Sequence, residues 1–177
     1  MNVVDTKFEG LFVLEPKVLG DSRGYFMESY NKDTLLKHGI DITFVQDNQS
    51  SSAKGVLRGL HFQKHPHAQT KLIRVLSGSI LDVVIDLRKK EPTFGQHFSV
   101  ELTAENKKQL LVPKGFAHGF LVLSDKTEVF YKCDEFYRPD AEGGIHYTSV
   151  DIDWGAGLIL SEKDNALLHI RETKFDF

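Results

Sequence analysis

Short strands of alternating polarity dominate the middle of this sequence and limit its possible folds more than any other feature. Between residues 71 and 137, β-branched and aromatic side chains alternate with polar ones, and turn residues interrupt them about every 8 to 12 positions. Short strands joined by tight turns favour an antiparallel barrel, because parallel strands require long helical crossovers. We therefore predict an all-β, jelly-roll antiparallel barrel, with strands at 71–76, 79–87, 98–102, 109–112, 119–123 and 127–133.

The sequence also predicts where turns and helices lie. Ser77-Gly78 predicts a hairpin between the first two strands, because glycine adopts positive φ without strain. Pro113 ends the strand at 109–112, since proline cannot donate a hydrogen bond to a neighbouring strand. Asn31 is a typical N-cap for a short helix that ends at Gly39, and residues 161–164 predict a second helical turn. These few short helices are expected at the periphery of the barrel.

Length and composition favour one soluble domain. The 177 residues are 41% hydrophobic and 27% charged and contain no repeat or linker, so we assign residues 1–177 to a single domain. The only cysteine, Cys133, has no partner for an internal disulfide, which fits a reducing compartment such as the cytoplasm. The sequence has neither a secretory signal pattern nor an apolar run of about 18 residues. A net charge of -3 argues against nucleic acid and anionic membranes as partners.

A glycine separates two ionisable residues in segment 55–63. Arg58 and His61 are three positions apart, so regular alternation would point them to opposite faces of a strand. A bulge at Gly59 would bring both side chains into one cavity. The alternative is a surface arginine and a hydrogen-bonded core histidine, which is the commoner situation for isolated ionisable residues.

A turn that contains Pro113 and Gly115 precedes a histidine at the start of the next predicted strand. Its P-x-G-x-x-H spacing, which ends at His118, is similar to the second motif of the cupin superfamily. Many cupins hold a metal, and His65 and His67 supply the H-x-H part of the usual ligand set. Lys71 occupies the place of the expected glutamate, and its charge would repel a divalent cation. The sequence therefore predicts no metal site, and it assigns no role to His65, His67 or His97.

Two further clusters have an ordinary structural explanation when each is considered alone. Tyr131, Cys133, Glu135 and Tyr137 share one predicted strand face, where a tyrosine is more often a packing residue than an acid. Residues 160–164 have the composition of a solvated charged turn. Both clusters become informative when they are considered together with the other segments, because all of them occur in one particular order along the chain.

Taken together, the segments resemble the dTDP-4-dehydrorhamnose 3,5-epimerase family over about residues 8–164. Many long motifs in one order are far more specific than any short pattern. One departure is the stretch 154–160, which is shorter than usual. The matching residues are Asp21, Arg23, Gly24, Phe26 and Glu28, then 44–48, 55–63, Ala68, Gln69, Lys71 and Leu72, then 82–88, 92–95, 115–120 and 160–164.

The resemblance implies a homodimeric cupin jelly roll that works without a cofactor or a metal. It implies that His61 is the general base, Asp164 the carboxylate paired with it, Tyr131 the general acid and Lys71 the cation beside the ketone oxygen. It also implies that the segment 23–28 reaches into the active site of the partner subunit. Substrate contacts are implied for Arg23, Phe26, Glu28, Gln46, Asn48, Arg58, His118, Tyr137, Glu142 and Lys163, of which Tyr137 stacks on thymine.

The implied substrate is a dTDP-linked 4-keto-6-deoxyhexose, whose C3 and C5 protons are acidic because each carbanion delocalises onto the C4 oxygen. Histidine accepts protons near neutral pH, a carboxylate orients it, and a lysine stabilises the developing enolate. Inversion needs a second group that returns a proton to the opposite face, which a tyrosine can do. The expected reaction converts dTDP-4-keto-6-deoxy-D-glucose to dTDP-4-keto-L-rhamnose, in the biosynthesis of dTDP-L-rhamnose.

Three alternatives remain open at this point. An enzyme of the same class could invert C3 or C5 only, or use another nucleotide, since it would share the base, acid and lysine. A metal-dependent cupin oxygenase or isomerase and a non-catalytic sugar-nucleotide-binding module belong to other classes. Solvent deuterium uptake at C3 and C5, metal analysis and the activity of a His61→Asn variant would distinguish them.

Overall fold

Two antiparallel sheets face each other and enclose the main core. The computed structural model describes residues 1–177. The six-stranded sheet has the order β1-β2-β10-β7-β12-β5, the five-stranded sheet has the order β13-β6-β11-β8-β9, and β3 pairs with β4 in a separate hairpin. The strands are β1 (Asn2–Asp5), β2 (Phe12–Glu15), β3 (Val18–Asp21), β4 (Gly24–Met27), β5 (Gln46–Ala53), β6 (Leu57–Gln63), β7 (Lys71–Ser77), β8 (Ser79–Asp86), β9 (His97–Thr103), β10 (Gln109–Val112), β11 (Phe116–Val122), β12 (Lys126–Cys133) and β13 (Glu142–Gly144).

The alternation of the strands produces two apolar layers. Ile80 and Val84 of β8 face the interior and pack with apolar residues of the six-stranded sheet. Val83 and Ile85, which alternate with them, face outward into a second cluster. The C-terminal segment covers this outer face, where Phe175 and other apolar residues pack against the cluster. The predicted all-β, antiparallel barrel architecture is confirmed.

The predicted strand positions are confirmed more often than the predicted pairing. The strand at 109–112 has the predicted bounds, whereas the strand predicted at 119–123 begins earlier, at Phe116. The predicted hairpin at Ser77-Gly78 is wrong: β7 pairs with β10 and β12, and β8 pairs with β9 and β11. Ser77-Gly78 instead carries the chain from one sheet to the other. Its residue types favour a tight turn, and a turn leaves open which strands will pair.

Both predicted helices are present and capped as expected. In α1 (Lys32–Leu36), the side chain of Asn31 accepts a hydrogen bond from the backbone N–H of Thr34 at 3.1 Å. In α2 (Glu162–Asn165), Ser161 Oγ accepts from the backbone N–H of Asp164 at 3.0 Å. Single 3₁₀ turns occur at Pro139–Ala141 and Tyr147–Ser149. No helix has the length and apolar character needed to cross a membrane.

Candidate active site

A polar cavity opens between the two sheets at one end of the barrel. It has two adjoining parts, of about 260 Å³ and about 160 Å³. His61, Lys71 and Tyr131 line both parts and therefore lie at their junction. His61 comes from β6 of the five-stranded sheet, whereas Lys71 of β7 and Tyr131 of β12 come from the facing sheet. Asp164 lines the smaller part as well, so all four predicted catalytic side chains meet in one cavity.

An irregularity in β6 brings Arg58 and His61 to the same side, as predicted. The register between β6 and β11 shifts between the pairs His118–His61 and Phe120–Arg58. Gly59 has φ of +114°, and a Cβ atom there would lie 2.6 Å from the Cα of Gly119. Only glycine fits both the backbone conformation and the space. Both Arg58 and His61 line the smaller part of the cavity.

A buried carboxylate holds the imidazole of His61. Asp164 Oδ1 lies 2.6 Å from His61 Nε2, and the backbone N–H of Gly59 donates to Asp164 Oδ2 at 3.5 Å. Burial alone would raise the pKa of Asp164, but the hydrogen bond and charge of His61, together with hydrogen bonds to Gly59 and Ser161, outweigh burial and lower it. Because Asp164 engages Nε2, the nitrogen left to exchange a proton with a bound molecule is Nδ1.

The facing wall carries a tyrosine and a lysine whose pKa values are shifted mainly by burial. Burial raises the pKa of the Tyr131 hydroxyl, so this group keeps its proton. Burial lowers the pKa of Lys71, while the negative charges of Asp82 and Glu142 oppose that shift. Burial also raises the pKa of the Cys133 thiol to about 11, so the thiol remains uncharged at neutral pH. This wall therefore presents a proton donor beside an amine whose charge depends on its surroundings.

A second histidine–carboxylate pair lies beside the first. His118 is the cross-strand partner of His61, and its Nε2 lies 2.8 Å from Asp82 Oδ1. The side chain of His118 is 8% exposed and that of Asp82 is completely buried. His118 lines the cavity together with His61.

Polar residues surround the wider part of the cavity. Gln46 accepts a hydrogen bond from the backbone N–H of Tyr137 at 3.0 Å, and its amide donates to Asn48 Oδ1 at 3.0 Å. The hydroxyl of Tyr137 donates to Glu142 at 3.0 Å, and Lys163 Nζ lies 2.6 Å from the same carboxylate. Burial would raise the pKa of Glu142, but these two partners outweigh burial and lower it. The half-exposed ring of Tyr137 leaves a face open to a planar ligand.

One detail of the predicted strand face is wrong. β12 ends at Cys133, so Glu135 and Tyr137 do not continue the strand face of Tyr131. Tyr137 reaches the cavity from the segment that follows the strand. The backbone N–H of Arg138 in this segment donates to the buried side chain of Gln63 at 2.7 Å.

Three predicted site residues lie apart from the cavity of their own chain. Arg23 and Phe26 belong to the β3–β4 hairpin, where Asp21 pairs with Arg23 and the Phe26 ring is 70% exposed. Glu28 follows the hairpin and accepts a hydrogen bond from Asn31 at 2.9 Å. None of these three side chains lines either part of the cavity.

The cavity also contains residues that the sequence analysis did not assign to it. Gln63, Gln69 and Cys133 line the larger part, and Ser50 lines the smaller part. Ser50 is two positions from Asn48 on β5, so strand alternation was the signal that could have indicated it. No group of three or more His, Cys, Asp or Glu side chains is placed to hold a metal ion. The ring of His65, from the H-x-H segment, packs against Phe177 with centroids 5.1 Å apart.

Comparison with known proteins places the chain among one group of relatives. The family profile described as dTDP-4-dehydrorhamnose 3,5-epimerase matches residues 5–172. A protein of that name from Shigella flexneri is 50% identical over 168 residues, which cover 93% of each chain. Another from Methanothermobacter thermautotrophicus is 46% identical over 175 residues, covering 96% of this chain and 94% of the relative.

Solved structures match over nearly the whole chain. The dTDP-4-dehydrorhamnose 3,5-epimerase of Bacillus anthracis, with TDP and PPi bound, has a TM-score of 0.93 and 50% identity over 96% of this chain and 99% of its own. A Legionella pneumophila 3,5-epimerase in complex with dTDP-4-keto-L-rhamnose has a TM-score of 0.93 and 46% identity over 98% of this chain and 94% of its own. A 3'-monoepimerase of Streptomyces bikiniensis in complex with dTDP-quinovose has a TM-score of 0.87 and 29% identity, covering 94% and 86%.

Proposed function

The chain belongs to the dTDP-4-dehydrorhamnose 3,5-epimerase family, and we propose that it inverts C3 and C5 of dTDP-4-keto-6-deoxy-D-glucose to give dTDP-4-keto-L-rhamnose. The observation that carries this proposal is the His61–Asp164 pair on one wall of a cavity whose other wall holds Tyr131 and Lys71. Groups on both sides of a sugar ring are what inversion requires, because the proton must leave one face and return to the other.

His61 is the base that removes the proton from C3 and the proton from C5. Its Nδ1 takes the proton, and the Asp164 carboxylate on Nε2 stabilises the imidazolium that forms. The lowered pKa of Asp164 keeps this carboxylate charged at neutral pH. One base can serve both carbons, since both carbanions are enolates of the same C4 ketone.

Lys71 stabilises the negative charge that develops on the C4 oxygen. Its amine lines both parts of the cavity, and the nearby charges of Asp82 and Glu142 favour its charged form. Tyr131 then donates a proton to the enolate carbon from the side opposite His61. The raised pKa of Tyr131 holds that proton until the enolate is present.

Arg58 and the polar residues of the wider part bind the dTDP portion. Arg58 supplies a guanidinium group for the diphosphate. The planar guanidinium of arginine can donate two parallel hydrogen bonds to phosphate oxygens. Lys163 adds positive charge near the mouth, and the Tyr137 ring stacks on thymine. Gln46, Asn48 and Glu142 provide hydrogen-bonding groups in the same region.

The active form is a homodimer in which the β3–β4 hairpin of each protomer completes the cavity of its partner. Support comes from the exposure of Arg23 and Phe26 and from their absence from the cavity of their own chain. A mixing experiment tests this arrangement. Arg23→Ala and His61→Asn proteins, each of low activity, should regain about a quarter of wild-type activity when subunits exchange, since half of the dimers gain one intact site of two. No recovery after verified exchange would contradict it.

The reaction is tested by proton NMR of dTDP-4-keto-6-deoxy-D-glucose with the purified protein and a chelator in deuterated water. Deuterium at both C3 and C5, with formation of the L-sugar, is the expected result. Exchange at one carbon would make the enzyme a monoepimerase, like the Streptomyces relative. Activity lost with the chelator and restored by a metal would favour a metal-dependent enzyme instead. We place the enzyme in the cytoplasm, in keeping with its unpaired, buried Cys133 thiol.

A further inference from the structure

A fully buried carboxylate lies behind the cavity wall. Asp82 is on the interior face of β8 between Ile80 and Val84, and its exposure is 0%. An ionised carboxylate in such an apolar setting costs free energy unless a partner compensates it. One oxygen, Oδ1, has His118 Nε2 at 2.8 Å, and Oδ2 has no hydrogen-bond partner. His118 is therefore the only hydrogen-bond partner of this buried group.

His118 separates Asp82 from the cavity. It lines the smaller part, whereas Asp82 does not. Since Asp82 engages Nε2, only Nδ1 of His118 is left to contact a bound molecule. His61, the cross-strand partner of His118, is held through Nε2 in the same way by Asp164 at 2.6 Å. Two adjacent imidazoles thus have the same ring nitrogen fixed by carboxylates that come from different elements.

We propose that Asp82 is a positioning residue for the epimerisation, which orients the His118 imidazole so that Nδ1 faces the sugar nucleotide. The inference rests on the proposed function and adds a residue to it. Asp82 touches no substrate and acts only through His118. Its negative charge also offsets the positive charge of Lys71, which would otherwise disfavour a second cation on the base His61.

A kinetic double-mutant cycle tests this role. We expect Asp82→Asn to lower kcat/KM by about 10- to 100-fold, comparable to the loss of a carboxylate that holds a metal-bound histidine. In a His118→Asn background the same change should cost less than about 2-fold, because Asp82 then has nothing to orient. Equal losses in both backgrounds, or no loss in either, would overturn the proposal.

Asp86→Asn is the matched control. Asp86 is on the same strand and is also completely buried, but it pairs with Arg88 and Thr93 and does not line the cavity. Its replacement should change thermal stability while leaving kcat/KM within about 2-fold of wild type. A loss of kcat/KM as large as that of Asp82→Asn would mean that any buried charge matters equally, and would also overturn the proposal.

A measurement on the unmodified protein keeps the inference testable if Asp82→Asn does not fold. Long-range ¹H–¹⁵N NMR should show that Nε2 of His118 carries a proton, because it donates to Asp82. A neutral His118 ring protonated on Nδ1 would contradict the proposed orientation. If the wild-type protein fails to exchange deuterium into the sugar, the proposed function is refuted. The ¹H–¹⁵N NMR result on the orientation of His118 does not depend on that outcome.

Discussion

Replacement of Asp164 by asparagine should remove most of the activity without unfolding the protein. The 2.6 Å contact joins His61 to a carboxylate whose side chain is only 6% exposed, so water cannot easily take its place. A hydrogen bond to a charged group contributes about 1.5–3 kcal/mol. Each change of about 1.36 kcal/mol alters a rate tenfold. If this hydrogen bond no longer stabilises the imidazolium as it forms, kcat should fall by about 10- to 150-fold.

A change of tautomer adds to this loss. The asparagine amide can donate to Nε2, which would leave the proton of the neutral ring on Nδ1, the nitrogen that must act as the base. In a serine protease a comparable replacement costs about 10⁴-fold. We therefore expect kcat to fall by about 10² to 10⁴-fold, with the same factor at both carbons because one base serves both.

The assay is deuterium incorporation at C3 and C5 followed by NMR. Glu162→Gln is the control, because Glu162 lies in the same helix, is exposed and forms no ion pair. Its rate should remain within about 2-fold of wild type, as is usual for surface substitutions. If Asp164→Asn exchanges either proton within about 3-fold of the wild-type rate, the assigned role of the His61–Asp164 pair is wrong.

Three further predictions follow from the same geometry. Tyr131→Phe should slow formation of the L-sugar by about 10² to 10⁴-fold, the usual contribution of a general acid, and NMR should show slower inversion than deuterium exchange because His61 still removes protons. In the proposed mechanism Lys71 works in its charged form, and because its pKa lies below the ordinary 10.5, kcat should decline on the alkaline side before a normal lysine would titrate. Lys71→Arg should move that decline to higher pH, and an unchanged pH profile would contradict the assignment. Gly59→Ala should destabilise the protein in urea unfolding by about 2 kcal/mol or more, because its Cβ would meet the backbone of Gly119. Gly39→Ala, at φ of +77° with open space around it, should cost only about 1 kcal/mol.

The sequence predicted strands well because each strand must have one apolar face. This requirement shows in the residues of the strand itself. The predicted bounds are correct for β10 and differ by one residue for β12. The pairing of β7 and β8 is not local. Both neighbours of β7 and one neighbour of β8 come from strands that are distant in sequence, so the turn at Ser77-Gly78 misled the prediction.

Part of the site followed from local reasoning and part did not. The bulge at Gly59 was predictable, since strand alternation and the spacing of Arg58 and His61 require a bend if both are to meet. The Asp82–His118 pair was not, because it depends on the register of two strands that are distant in sequence. Cys133 and Ser50 also line the cavity, because each lies two positions along its strand from an assigned site residue.

The division of the site between two sheets explains how one cavity can invert two carbons. Lys71 and Tyr131 lie on neighbouring strands of the six-stranded sheet, where Tyr131 is opposite Ile73 and Lys71 opposite Cys133. They are therefore diagonal neighbours on one wall, with the cation close to the acid. His61 lies on the other sheet. A flat enolate between the walls would therefore have the proposed base on one face and the proposed acid on the other. If the sugar ring turns between the two steps, C5 takes the place of C3 and the same three groups can act again.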